Sequence, residues 1–299
     1  MIDVLIIGGG PAGLSTAIYA KRAGLSVMIF DKGAGDCQLT KATEVENYLG
    51  FNCISGLELH SKFTDHLKSQ DITIVKKAVL NIEKLERGFK VFTRKDEVEC
   101  SHLVLAMGRS HKHLGVKNEE KFAGAGVSYC ATCDGFFFKN KTVCVIGGGD
   151  SALSQAIYLS AFCDKVYLVH RRSEFRAANY LVKRAESKDN IEFVLNTIVD
   201  EITGDNFVDG INIVREGNIE YINCDGIFGA IGEESNLKFE IDGLERTSNG
   251  QIITDNYCRT NIDNLYAVGD IREREVYQII TAVADGALVI EGILKNENT

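Results

Sequence analysis

Val4-Leu5-Ile6-Ile7-Gly8-Gly9-Gly10-Pro11-Ala12-Gly13 is the stretch that decides the fold of this chain. Its four consecutive apolar residues fit a short strand buried on both faces, and helical character follows the glycines from Leu14 to Arg22. A second apolar run, Val27-Met28-Ile29-Phe30, ends in Asp31, 23 positions after Gly8. Strand, glycine turn, helix, strand and terminal acid in this order make a dinucleotide-binding βαβ unit. Gly8 and Gly10 let the backbone turn tightly and approach a pyrophosphate, while Gly13 lets the helix pack close to the strand. The helix N-terminus faces the negative charge, and Asp31 is placed to accept from a ribose hydroxyl.

The same unit begins again at Thr142. Val143-Cys144-Val145-Ile146 is the strand, Gly147-Gly148-Gly149-Asp150-Ser151-Ala152 the turn, Leu153 to Ala161 the helix, and Lys165-Val166-Tyr167-Leu168-Val169 the next strand. This copy ends in His170-Arg171-Arg172, with Arg176 close behind. An acid at that place favours a free 2′-hydroxyl, and arginines favour a 2′-phosphate. Each charge-assisted hydrogen bond to phosphate contributes about 1.5–3 kcal/mol. The first site therefore suits FAD and the second NADPH rather than NADH. The competing reading makes Arg171 and Arg172 a merely solvated basic end.

Between the two fingerprints lies Cys130-Ala131-Thr132-Cys133-Asp134-Gly135. A Cys-x-x-Cys holds two sulfurs close enough to exchange between dithiol and a readily reduced disulfide. A redox dithiol between two dinucleotide sites implies one job, passing two electrons from a nucleotide, through a second nucleotide, to a disulfide. A zinc site is the alternative, but a closed one needs four ligands, and no second Cys-x-x-Cys or suitably placed His pair accompanies this one. The other seven cysteines (Cys37, Cys53, Cys100, Cys144, Cys163, Cys224, Cys258) lack motif spacing and are expected to be structural, with Cys144 and Cys224 in the core.

The bulk composition sets limits. At 299 residues, 45% hydrophobic and 25% charged, the chain is an ordinary globular protein with room for about two cores. A net charge of −9 without a Lys/Arg-rich run argues against nucleic acid, and no apolar stretch approaches a membrane span. No secretory signal is visible, so a cytoplasmic location is expected.

Elsewhere, 81–99 reads as a β-meander, and Leu103-Val104-Leu105-Ala106-Met107-Gly108 as a further buried strand. Leu265-Tyr266-Ala267-Val268-Gly269-Asp270 is a buried strand ending in Gly-Asp. A final helix is expected from about Tyr277 to Leu294, with Ile280, Val283, Ala284, Ala287 and Leu288 on its apolar face. The expected class is α/β, with two Rossmann-like nucleotide-binding domains carrying β-meander insertions. The first, discontinuous, comprises 1–112 and 243–299 and takes FAD; the second, 113–242, takes NADPH and carries the dithiol. His60, His66, His102, His111 and His113 have no motif spacing, and surface or packing roles are the default.

Taken together, these motifs resemble the low-molecular-weight thioredoxin reductases over essentially the whole chain. The resemblance rests on Gly8 to Gly13, Thr43-Glu44-Val45-Glu46-Asn47-Tyr48, Cys130 to Gly135, Gly147 to Ala152, His170-Arg171-Arg172-Ser173-Glu174-Phe175-Arg176 and Ala267-Val268-Gly269-Asp270. It implies that electrons pass from NADPH through FAD to a Cys130–Cys133 disulfide and on to thioredoxin or a thioredoxin-like protein. Cys133 then faces the flavin, Cys130 attacks the partner's disulfide, and Asp134 handles the proton. It further implies FAD contacts from Gly8, Gly10, Pro11, Ala12, Gly13, Asp31, Gln38, Leu39, Asn47, Gly108, Asp270 and Gln278. NADPH contacts are implied for Gly147, Gly149, Asp150, Ser151, Ala152, His170, Arg171, Arg172 and Arg176. A homodimer is implied as well, and a middle domain that rotates about 108–117 and 232–243.

The chain departs from the family pattern at several positions. Gly35-Asp36-Cys37-Gln38-Leu39 replaces the usual Gly-Gly-Gln-Leu, and Ser154 and Gln155 replace two glutamates expected to touch the nicotinamide end of the second site. Tyr277 replaces an arginine and Ser235 a proline. Some relatives take electrons from ferredoxin or are dithiol oxidases. Those tend to lose the arginine pair kept here, which favours NADPH. A flavin-containing redox sensor without turnover is the remaining alternative.

Overall fold

Strand Ile2–Ile7 lies at the centre of a sheet because Val4 to Ile7 have no polar face to offer water; Val4, Leu5 and Ile6 are fully buried. A computed structural model describes residues 1–33, 37–42 and 44–297. The chain divides into two units, Met1–Ser110 with Glu234–Thr299, and His111–Glu233.

In the first unit, strands Ile74–Lys76, Val27–Asp31, Ile2–Ile7 and Glu97–Leu105 lie side by side and parallel, in that order. The far edge of Glu97–Leu105 is shared. Its first half pairs antiparallel with Phe89–Thr93, which continues to Val79–Lys84, and its second half pairs parallel with Leu265–Ala267. The last strand of the expected meander and the expected buried strand are thus one nine-residue strand. The change in the middle of it, from half-exposed Glu97–Glu99 to fully buried Leu103–Leu105, is a change of neighbour rather than a break.

Helices Pro11–Arg22, Gly56–Ser69 and Ile279–Glu297 accompany this sheet, and one core forms around Leu14, Ile29, Leu67, Val104, Val289 and Ile293. The last helix buries Ala282, Val289, Ile290 and Ile293 and leaves Ile280 and Leu288 about half exposed, correcting the expected apolar face. Its sequence is apolar nearly all round, so periodicity could not choose a side. Close approach chooses it: Gly286 lies where a Cβ would sit 2.3 Å from Ser15 Oγ, and Ser15 Oγ donates to Val283 O at 2.7 Å.

The second unit repeats the plan with strands Ile191–Val194, Lys165–Val169, Thr142–Ile146, Gly226–Gly229 and Val127–Ser128, all parallel. Helices Asp150–Leu159 and Asn179–Glu186 pack with it through Leu153, Ala156, Leu168 and Phe228. A second core joins the sheet to an antiparallel meander, Thr197–Gly204, Val208–Arg215 and Asn218–Asn223.

The chain passes between units through strands Arg109–His111 and Glu233–Ser235, which pair with each other. The return comes earlier than the expected 243. Leu237 is buried in the first unit's core, with Phe239 and Ile241 packed against it, so 234–242 belongs there.

Candidate active site

The first glycine loop is shaped by contacts that leave no room for side chains. Gly8 has φ +116°, and a Cβ on it would lie 2.3 Å from Ala106 O; one on Gly13 would lie 2.0 Å from Gly8 O. Gly10 caps helix Pro11–Arg22 with no side-chain bond, and Pro11 is its first residue, so the N–H groups at Ala12 and Gly13 are left for a ligand. Asp31 closes the loop: Oδ2 accepts from Gly9 N at 2.7 Å and Oδ1 from Gly33 N at 2.9 Å. Beneath it, buried His60 places Nε2 3.1 Å from Gly9 O, a contact that no spacing in the sequence announced.

Other residues expected at this site come from three further segments of the same unit. Exposed Gln38 donates through Nε2 to Arg109 O at 2.6 Å, and neighbouring Leu39 is buried. Asn47 Nδ2 donates to Gln278 Oε1 at 3.1 Å, and Gln278 O accepts from Ala282 N, so Gln278 caps the last helix. Gly108, at φ +64°, turns the chain after strand Glu97–Leu105. Asp270 sits in the short 3-10 turn Gly269–Ile271. That turn is anchored by buried Asp285, which accepts from Gly269 N at 2.7 Å and from Arg272 and Arg274. Asp285 carried no signal in the sequence, because an acid in a helix reads as a surface residue.

Among the departures, Gly35, Asp36 and Thr43 lie outside the described residues. Cys37 caps the short helix Gln38–Lys41, and burial pushes its thiol pKa up. The Tyr277 hydroxyl accepts from Gln251 Nε2 and from Arg274 N. Ser235 Oγ accepts from Leu237 N at 3.2 Å.

The second loop repeats the first. Gly147 has φ +157°, and a Cβ on it would lie 2.3 Å from Ala230 O. Gly149 caps helix Asp150–Leu159 without a side-chain bond and has open space beside it, while Ala152 is fully buried behind it. Asp150 Oδ1 accepts from Ala178 N at 2.7 Å, so it fastens the loop after the arginines to the helix start. His170 occupies the place of Asp31, stacked on Phe175 and packed over Gly148, with Nε2 3.1 Å from Glu174 O. Burial lowers its pKa first, and the charges of Arg176, Arg171 and Arg172 lower it further. All three arginine side chains are exposed.

The dithiol lies in this second unit. Cys130 and Cys133 are joined in a disulfide with Cα atoms 5.3 Å apart, on the one-turn helix Ala131–Asp134. Cys133 is exposed and Cys130 half-buried. Asp134 is held by Ser128, whose Oγ donates to Asp134 Oδ2 at 2.6 Å and accepts from Cys130 N at 3.1 Å. Burial raises the Asp134 pKa and the Ser128 bond partly offsets it. Gln155 Oε1 accepts from Ala131 N at 3.2 Å, so it touches the dithiol turn. Neither Ser128 nor Gln155 was marked by the motif itself.

Two glycine loops of the dinucleotide-binding kind, and a disulfide in the same unit as the second of them, make a disulfide oxidoreductase. Residues 2–286 match the pyridine nucleotide-disulphide oxidoreductase family. The chain belongs to that family.

Within it, the chain is 38% identical to a thioredoxin reductase of Listeria monocytogenes, over 96% of this chain and 91% of that one. The solved thioredoxin reductase of Streptococcus pyogenes superposes with a TM-score of 0.93 at 38% identity, covering 99% of this chain and 97% of that one. A ferredoxin-flavin thioredoxin reductase of Clostridium acetobutylicum is 33% identical, with a TM-score of 0.55, covering 100% of this chain and 99% of that one. Among the described residues no helix is long and apolar enough to cross a membrane.

The other cysteines divide by environment. Cys100, Cys144, Cys163, Cys224 and Cys258 are buried, Cys37 is half-buried, and Cys53 is exposed beside Glu44 and Glu46. Cys53 thus departs from the expected packing role; its neighbour Ile54, not Cys53, enters the small core formed with Leu39, Val45 and Leu59. Of the histidines, His102 meets Tyr266 edge-on, while His111 stacks on Tyr129 and lies 3.2 Å from Glu233.

Proposed function

We propose that this protein is an NADPH-dependent thioredoxin-disulfide reductase, with FAD on the first glycine loop, NADPH on the second, and the Cys130–Cys133 pair as the group that meets thioredoxin or a similar partner. The observation that carries this reading is the disulfide itself, placed on a turn with a half-buried acid one residue beyond it. The residues present fit both cofactors. Each loop leaves an uncapped helix N-terminus beside glycines whose missing Cβ atoms keep the approach open. When bound, NADPH supplies a hydride and FAD relays the electron pair to the disulfide.

This chain's own residues do the rest. Asp31 orients the first loop, while Arg171, Arg172 and Arg176 are available to a 2′-phosphate. Reducing the disulfide forms two thiols and needs protons, and Asp134, kept protonated to higher pH by burial, is the nearby group suited to hold one. Cys130 is proposed as the attacking sulfur and Cys133 as the one that receives the electron pair, as in the family. The unit of 111–233 is proposed to turn about its two connecting strands, so that nucleotide and disulfide are served alternately.

A homodimer in the cytoplasm completes the reading. The exposed Ile280, Ala284 and Leu288, one turn apart along the last helix, give a second copy an apolar strip to cover. Sedimentation at micromolar concentration is expected to give twice the 32.9 kDa chain mass, and a monomer alone counts against it.

The experiment that tests the function offers NADPH, NADH and reduced ferredoxin separately to the purified enzyme with oxidised thioredoxin. NADPH alone should support rapid turnover. Cys130→Ser should abolish turnover yet leave reduction of the flavin by NADPH intact, because its sulfur acts after that step. Turnover only with ferredoxin transfers the protein to the second reading, which the Clostridium relative keeps open.

A further inference from the structure

Gln155 joins the two working parts of the second unit. It lies half-buried in the second turn of helix Asp150–Leu159, and both ends of its amide are engaged. The backbone N–H of Ala131 can only donate, which fixes Oε1 toward the dithiol turn at 3.2 Å. Nε2 then donates to Ser151 Oγ at 3.2 Å, within the second glycine loop. Ser128 takes the N–H just before, that of Cys130. Two consecutive backbone donors at the head of a one-turn helix are therefore held by side chains from two different elements.

We propose that Gln155 is a positioning residue for the dithiol: its amide oxygen fixes the turn that carries Cys130 and Cys133, and its neutrality keeps a negative charge away from the sulfurs. The proposal rests on the reading of that pair as a working dithiol. Other titratable groups on the elements packed around the turn are already committed. Asp134 is bonded to Ser128, Asp150 to Ala178 N, and Tyr129 to Glu119. Tyr158 packs edge-on to Phe162, and Lys139 lies 5.7 Å from the centre of the Phe136 ring. A carboxylate at position 155 would add a negative charge to this group, bonded to the dithiol turn itself.

Two substitutions separate charge from contact. Gln155→Glu keeps an acceptor for Ala131 N and adds a charge; Gln155→Leu removes the acceptor and adds none. The flavin-containing protein is reduced with dithiothreitol, freed of reductant, and alkylated with iodoacetamide across a pH series. Modification of Cys130 and Cys133 is followed by mass spectrometry of their peptide, with flavin content confirming that each variant is folded.

Gln155→Glu is expected to raise the pH midpoint of alkylation by roughly half a unit to one unit, a ~3–10-fold slower reaction at fixed pH below it. Gln155→Leu should not raise the midpoint but should lower turnover with thioredoxin severalfold, with flavin reduction by NADPH unchanged. If both variants keep wild-type midpoint and turnover, or shift the midpoint alike, the proposal is wrong. If the wild-type dithiol reduces no protein disulfide at all, the functional reading fails instead, and the two failures are told apart.

Discussion

The loops at 8–13 and 147–152 share a backbone and differ in what closes it. Gly8 N and Gly147 N each bond the carbonyl at the end of the neighbouring strand, Phe30 O and Val169 O, at 2.8 and 3.0 Å. Ala106 N and Ala230 N each bond the last residue of the first strand, Ile7 O and Ile146 O, at 2.8 Å. The added Cβ of Gly8 and that of Gly147 would each stop 2.3 Å from a carbonyl oxygen. One residue further on the likeness ends. Asp31 accepts Gly9 N, whereas at the matching place His170 packs its ring over Gly148 and hands the next two positions to arginines. The phosphate-binding part of such a site is a property of the backbone, and the choice of nucleotide belongs to the side chains at the end of the second strand.

The largest effect expected from this comparison comes from filling the shared cradle. Gly8→Ala and Gly147→Ala each force a Cβ onto a carbonyl oxygen at positive φ, a strain of about 1–3 kcal/mol before the clash itself is counted. Gly8→Ala should give protein with little or no bound flavin. Gly147→Ala should keep its flavin and lose NADPH-driven reduction. Equal flavin content in the two variants would break the assignment of one cofactor to each loop.

Next comes the strand end. Arg171→Ala with Arg172→Ala should raise KM for NADPH by about 10–100-fold, from two charge-assisted hydrogen bonds weakened by their exposure. KM for NADH should barely change. A matching rise for NADH would mean that these arginines do not read the 2′-phosphate.

A smaller effect sharpens the contrast around the dithiol, which only the second unit carries. Ser128→Ala removes the bond that lowers the Asp134 pKa, so that pKa rises further above its unfolded value. Between the unfolded and folded pKa values the native state binds more protons than the unfolded one, so stability falls as pH rises. The variant should lose about 1–3 kcal/mol relative to wild type above the folded pKa of Asp134, and the loss should shrink on acidification through it. Urea unfolding at neutral and acidic pH measures this, and a loss that stays constant with pH would contradict it.

Much of this was legible in the sequence for a physical reason. A strand buried on both faces writes itself as four apolar residues, and a phosphate turn demands glycine at fixed places, so both βαβ units and their strand-end residues could be read directly. The dithiol was legible because few other uses of Cys-x-x-Cys fit between two such units. Contacts made by ordinary residue types across distance in sequence were not. His60 under Gly9, Asp285 behind Gly269, and Gln155 against Ala131 become visible only once the sheet order is known. The last helix shows the same limit, since a nearly all-apolar helix carries no periodic signal, and Gly286 against Ser15 decided its buried side.

The most direct test of the account is an anaerobic titration of the oxidised, flavin-containing protein with NADPH and, separately, with NADH, following the flavin absorbance. The account predicts complete bleaching by a small stoichiometric excess of NADPH, about tenfold or more NADH for the same effect, and loss of that preference in the Arg171/Arg172 double variant. No bleaching by NADPH, or equal bleaching by both nucleotides in the wild type, would contradict it.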